Sequence, residues 1–208
     1  EIVIQTKKAG IDVAFTTNGV FLTEEFLKKA LGYIEWIKVS IDAGTNLTHH
    51  IIHRGAPKDF DKILQNFATA VKIRKKNNYK CTLGGQMLLL SDNYKEAVTL
   101  ARKLKKAGID YLVIKPYSQH LFSKTKVYKD IQYKDYLYLS KKLQKIADEK
   151  FKIIFRIQTM EKWDKLEKPY QKCYSVPFFW AYIDAEGGVW SCSCFLKDKR
   201  YDRIRFFR

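Results

Sequence analysis

The sequence predicts an α/β fold in which parallel strands alternate with helices, followed by a small β-hairpin that carries cysteines. Three observations predict it. The string KKAGID occurs twice, at residues 7–12 and 105–110. Each copy reads as the last turn of a helix closed by a left-handed glycine, Gly10 or Gly108, that runs at once into a strand. The strands are continuous apolar runs, as expected of a parallel sheet covered on both faces. Finally, three of the four cysteines, Cys173, Cys192 and Cys194, fall on two aromatic-rich segments around the turn Glu186-Gly187-Gly188, whose glycines suit the positive φ of a tight turn.

The elements follow in order. VAFTT (13–17) is a strand, and TEEFLKKAL (23–31) a helix with Thr23 as N-cap and acids in its first turn. WIKVSID (36–42) is a strand, after which Asp59 caps a helix from Phe60 to about Lys76. YKCTLGGQMLLL (79–90) is a strand, Tyr94 to Ala107 a helix and YLVIKPY (111–117) a strand. A helix from about Tyr133 to Glu149 and the strand KIIFRI (152–157) complete the series. FFWAYID and GVWSC form the terminal hairpin, which brings Cys173 towards Cys192.

Composition narrows the function. With 46% hydrophobic residues in a 208-residue chain, one sizeable core can form. No apolar run reaches the ~20 residues of a membrane helix. The net charge of +17 invites a phosphate-binding reading. Yet Lys28, Lys29, Lys75, Lys76, Lys105, Lys106, Lys141 and Lys142 are spread over helix faces rather than gathered in a stripe, so no nucleic-acid partner is expected. Clustered cysteines without a secretory leader point to a reducing, cytoplasmic setting and to metal ligation. Thiolates suit an iron–sulfur cluster or zinc; a disulfide or three inert core cysteines are the other readings. Cys81, inside an apolar strand, reads as a core residue.

In parallel α/β sheets chemistry gathers at the carboxyl ends of the strands. Those ends read TTNG (16–19), SIDAG (40–44), GGQ (84–86) and KPYS (115–118). Taken singly, each is what any turn requires. As an ordered set, FTTNG, IKVSIDAG and HRGAPKDFDKILQNF over residues 13–67 resemble the core of the radical S-adenosylmethionine (SAM) enzymes. The spacing from Cys173 through Gly187 to Cys192 resembles the start of the SPASM or twitch subdomain that follows many such barrels.

The resemblance implies an incomplete (β/α) parallel barrel over residues 1–160 and an auxiliary-cluster subdomain over 161–208. It implies SAM as cofactor, with Ser40 and Asp42 suited to its ribose or carboxylate and Thr17 and Asn18 offering hydroxyl and amide contacts. Arg54 would grip the methionine carboxylate, Gln86 would donate from the next strand, and Val113, Ile114 and Lys115 would flank the adenine. Cys173, Cys192 and Cys194 would hold an auxiliary [4Fe-4S] cluster. A peptide, sugar or small-molecule substrate and an electron donor such as flavodoxin or ferredoxin are implied as partners. Each residue also has a plainer role: Asn18 in a turn, Asp42 as a helix cap, Arg54 in a surface ion pair. His49, His50 and His53 lack a carboxylate at metal-site spacing and read as solvated or substrate-facing.

The sequence departs from the family in two places. The C-x₃-C-x₂-C loop that holds the SAM-cleaving cluster is absent, as is the G-G-E stretch of the second strand. The chain also opens on Glu1 rather than Met. The expectation is therefore a truncated radical SAM enzyme, inactive alone. The contrasting expectations are a non-enzymatic basic α/β module that binds nucleic acid or an acidic partner, and an ordinary barrel enzyme without clusters.

Overall fold

Five short apolar segments, most of them entered from a helix, build the sheet. The computed structural model describes residues 1–119, 123–124, 126–165, 171, 181–190 and 192. Strands β1 (Ala14–Thr17), β2 (Trp36–Ser40), β3 (Thr82–Leu89), β4 (Tyr111–Pro116) and β5 (Lys152–Phe155) form one parallel sheet in the order β1-β2-β3-β4-β5. Each β/α unit advances one strand along the sheet, the progression of an open, partial barrel. β1 pairs with β2 alone among the described residues and is an edge.

Helices α1 (Ile2–Lys8), α2 (Glu24–Ala30), α3 (Asn46–His53), α4 (Asp59–Lys76), α5 (Ala97–Ala107), α6 (Tyr138–Gln144) and α7 (Ile157–Asp164) fill the intervals. Gly10 and Gly108 have φ of 85° and 81°, the left-handed closures that the repeated string requires. Thr23 Oγ1 accepts the Phe26 N–H at 3.2 Å, with Glu24 and Glu25 in the first turn of α2 and Lys28 and Lys29 in the last. Thr23→Ala should cost about 1 kcal/mol of stability in urea unfolding, while Thr23→Ser should cost almost nothing.

Alternation divides the sheet into two faces. Ile37, Val39, Leu83, Met87, Leu89, Leu112 and Ile114 point one way and are fully buried. On that face α5 lies so close that a Cβ on Gly85 would sit 2.8 Å from Leu104. Leu27, Leu31, Phe60, Ile63, Phe67 and Leu100 complete this core. The opposite, open face carries Trp36, Lys38 and Ser40 of β2. These stand in register with Thr82, Gly84 and Gln86 of β3, and the row continues through Tyr111, Val113 and Lys115 of β4.

Four expectations are corrected. Lys58, not Asp59, occupies the cap position of α4; the Asp59 carboxylate instead accepts the Ala56 N–H at 2.8 Å, bracing the preceding loop. The segment from Tyr94 opens with a 3₁₀ turn, Tyr94–Glu96, before α5 begins. The helix expected to reach Glu149 stops at Gln144. Beyond it Asp148 accepts the N–H groups of Lys150 and Phe151 at 2.9 and 2.8 Å, a local turn that competes with helix. Gly84-Gly85-Gln86 is strand interior rather than strand end, because β3 continues to Leu89.

The chain divides into two compact units, Glu1–Tyr117 with Asp130–Lys165, and Ser118–Lys129 with Leu166–Arg208. In the second unit β6 (Tyr182–Ile183) and β7 (Val189–Trp190) pair antiparallel. Asp184 organises their turn: its Oδ1 accepts Glu186 N–H at 3.0 Å and Gly188 N–H at 2.7 Å, and its Oδ2 accepts the Trp190 indole N–H at 2.8 Å. Gly187, at φ 78°, supplies the positive φ.

Candidate functional site

The carboxyl end of β2 meets the middle of β3. Ser40 stands opposite Gln86, and the Gln86 amide lies 3.4 Å from Ser40 Oγ, a weak donation that leaves both groups with capacity to spare. The next two residues turn sharply. Ile41 N–H still bonds Gln86 O at 3.0 Å, but Asp42 adopts φ 42°, a conformation costly for most side chains and tolerated by Asp.

Asp42 is held from three directions. Its Oδ1 accepts the Leu88 N–H at 2.6 Å, and its backbone oxygen accepts the Asn93 amide at 2.9 Å. Its Oδ2 lies 3.3 Å from His53 Nε2, without hydrogen-bond alignment. Asn93, fully buried, also donates to Leu88 O at 2.8 Å and accepts Leu90 N–H at 2.9 Å, which ties the ends of β2 and β3 together.

The loop after Asp42 is pinned by Glu96. Its carboxylate accepts Gly44 N–H at 2.7 Å, Thr45 Oγ1–H at 2.9 Å and Thr48 Oγ1–H at 2.7 Å. Burial works against its ionisation, but these hydrogen bonds prevail and hold the carboxyl below its ordinary range. Thr45 caps α3 by accepting Thr48 N–H. At the other end of α3 Arg54 is left-handed, φ 54°, and exposed. Its guanidinium makes no ion pair or hydrogen bond among the described residues. His49 is buried and stacked on His53 with ring centroids 4.4 Å apart. Burial, and then His53 beside it, push its pKa down. His50 bonds Gly55 O at 2.6 Å.

The remaining predicted residues fall as follows. Thr17 Oγ1 accepts Gly19 N–H and Asn18 Oδ1 accepts Val20 N–H, each at 3.2 Å, so both shape the turn after β1. Asn66 of α4 holds that turn through Gly19 O at 2.8 Å. Val113 and Lys115 lie on the open face, whereas the Ile114 side chain is buried on the helix-packed face. Lys115 is partly buried, and burial, then Lys38 nearby, lower its pKa.

Cys192 is partly accessible and unpaired by disulfide. Cys173, Cys194 and Trp180 lie outside the described residues. Among the described residues no three His, Cys, Asp or Glu side chains gather as metal ligands. Cys81 is buried, its thiol pushed up to about 11, as a core residue should be. A cavity of about 660 Å³ opens at the amino ends of β3–β5. Two ion pairs cross its lining, Arg74 with Asp110 and Lys105 with Asp148, the latter at 2.7 Å.

Asn93, Glu96 and Asn66 escaped the sequence reading. Each acts on a loop some fifty residues away in the chain, and no local pattern marks it.

Three solved structures share this architecture. Streptococcus suis SuiB bound to S-adenosylmethionine matches with a TM-score of 0.69 at 17% identity, over 98% of this chain and 48% of that one. SuiB bound to the precursor peptide SuiA matches with a TM-score of 0.66 at 17% identity, over 98% and 47%. The structure of anSMEcpe with bound AdoMet matches with a TM-score of 0.55 at 15% identity, over 94% and 53%. The fold is the radical SAM partial barrel. The chain spans about half the length of the solved structures it matches. No family model matches the chain, and no curated protein does. No helix among the described residues of this radical SAM fold is long and apolar enough to cross a membrane.

Proposed function

We propose that the chain forms the SAM-binding part of a cytoplasmic radical SAM enzyme that acts on a peptide. The observation that carries this is the meeting of Ser40 and Gln86 beside the Asp42 turn, whose carboxylate lies 3.3 Å from the ring nitrogen of His53, the residue just before Arg54. The donor set suits the cofactor. Ser40 and Gln86 keep hydrogen-bonding capacity for ribose hydroxyls, and Arg54 has an exposed fork for the methionine carboxylate. Val113 flanks the adenine from the open face, Ile114 contributing only backbone, while Lys115 beyond it stays available to the substrate. Thr17, Asn18 and Asp42 shape the turns that carry these groups. In a whole enzyme, one-electron reduction of SAM by a [4Fe-4S] cluster held outside this chain would supply hydrogen-atom abstraction.

The sequence holds no C-x₃-C-x₂-C loop, so this chain alone binds SAM without cleaving it. Residues 1–160 act as the barrel and 161–208 as a SPASM or twitch subdomain, in which Cys173, Cys192 and Cys194 are ligands to an auxiliary [4Fe-4S] cluster. Flavodoxin or ferredoxin is the electron donor. A peptide substrate is supported by the SuiB structure, which holds its precursor peptide.

Equilibrium dialysis tests the reading. The chain should bind SAM and leave it intact under reducing, anaerobic conditions. Arg54→Ala should weaken SAM roughly tenfold or more, yet leave 5′-methylthioadenosine, which lacks the carboxylate, unaffected. Equal losses for both ligands, or no binding of SAM, would overturn it.

A further inference from the structure

The open face of the sheet has an unusual charge pattern. Its register-matched row runs Ala14 and Thr16 on β1, Trp36, Lys38 and Ser40 on β2, and Thr82, Gly84, Gln86 and Leu88 on β3. It ends with Tyr111, Val113 and Lys115 on β4 and Lys152 and Ile154 on β5. That row holds three cations and no acid. Arg156, next in the β5 alternation, and Asp42 at the rim are the charges that bear on Lys115 besides Lys38. Among the described residues neither Lys38 nor Lys115 forms an ion pair.

The floor beside Lys38 is aromatic. Its Nζ lies 5.7 Å from the Trp36 ring centre, and the Tyr111 ring lies across Gly84 so closely that a Cβ there would be 2.1–2.5 Å from ring atoms. Trp36, Lys38, Thr82 and Tyr111 line a cavity of about 230 Å³. Two like charges on one partly buried face whose strand residues include no acid favour an anion beside them.

We infer that this face binds an acidic peptide, with a carboxylate side chain seated at Lys38 and Lys115 and the neighbouring residue resting on Trp36 and Tyr111. The inference rests on the peptide-modifying reading above and gives its substrate a charge. A single carboxylate partly satisfies both ammonium groups, and the aromatic shelf takes apolar area from the adjacent side chain. The same arrangement disfavours lysine- or arginine-rich peptides, which would bring a third cation to the face.

The test is fluorescence anisotropy on the full chain with a short, blocked, labelled peptide alternating glutamate and alanine, and its glutamine twin. The acidic probe should bind at least about tenfold tighter than the twin. Lys38→Gln with Lys115→Gln should remove that preference. Lys141→Gln with Lys142→Gln, an equal charge loss on the exposed face of α6, should change it less than about twofold. Lys38→Arg should retain binding, and Lys38→Glu should reverse the preference towards a lysine–alanine probe. Equal weakening by the α6 pair, or loss in Lys38→Arg, would overturn the inference. SAM affinity of the unaltered chain separates the two claims. SAM binding with a probe indifferent to Lys38 and Lys115 sinks only this inference, while a lysine-dependent probe without SAM binding sinks only the cofactor reading.

Discussion

Replacing Asn93 with alanine should lower the unfolding free energy by about 3 kcal/mol and abolish measurable SAM binding. The side chain is fully buried and makes three hydrogen bonds, donating to Asp42 O and Leu88 O and accepting from Leu90 N–H. Alanine leaves all three partners without their bond in a site closed to bulk water, and each loss carries a desolvation penalty. Two of those partners flank the Asp42 turn, so the damage falls on the strand end that displays Ser40 and Gln86. Asn93→Asp separates shape from chemistry. It keeps the volume but turns two donations into carboxylate–carbonyl repulsions, and should be at least as destabilised as the alanine variant. Urea unfolding followed by tryptophan fluorescence reads both. A shift below about 1 kcal/mol in either would mean that Asn93 is not the clamp described.

What the sequence made legible was local. The repeated KKAGID string, the Thr23 cap and the apolar runs each depend on neighbours within a turn or a strand, and each appears in place. Ser40 was readable for the same reason, at the end of a strand that the pattern reveals; Gln86, inside β3 rather than at its end, stands opposite it through pairing. Of two helices, one was readable only as a loop or short helix and the other was not legible as an element. TNLTHHIIH lacks a sustained apolar stripe, although Thr45 caps it as α3. IQTMEKWD follows β5 after a single residue, with Arg156 at the cap position and no side-chain cap.

Gly84-Gly85 illustrates the same limit from the opposite side. Adjacent glycines suggest a turn, yet here they are spaces for Tyr111 on one face and Leu104 on the other. That reason exists only after β4 and α5 have docked. The clamps on the site, Asn93 and Glu96, are likewise tertiary facts.

Glu96→Gln should destabilise the chain by about 2 kcal/mol at pH 7, with the difference shrinking towards zero in acid. The carboxylate accepts three hydrogen bonds from the Gly44–Thr48 segment, and the amide of glutamine offers one acceptor oxygen where two now serve. Because folding lowers this carboxyl below 4.5, its contribution is complete above that value. It is lost as pH falls through the lower, folded value. His49, whose pKa folding also lowers, drains stability as pH drops below 6.5, but it is present in both proteins and cancels in the difference. Urea midpoints at pH 7 and near pH 3.5 supply the measurement, and an undiminished difference at the lower pH would refute the charged-acceptor account. The same substitution should weaken SAM about tenfold at pH 7, because the pinned segment leads from Asp42 into α3 and sets where Arg54 stands. The loop has little room to adapt, since a Cβ on Gly44 would already lie 2.8 Å from Glu96 O. A variant that lost stability but kept full SAM affinity would mean that Glu96 braces the fold and not the site.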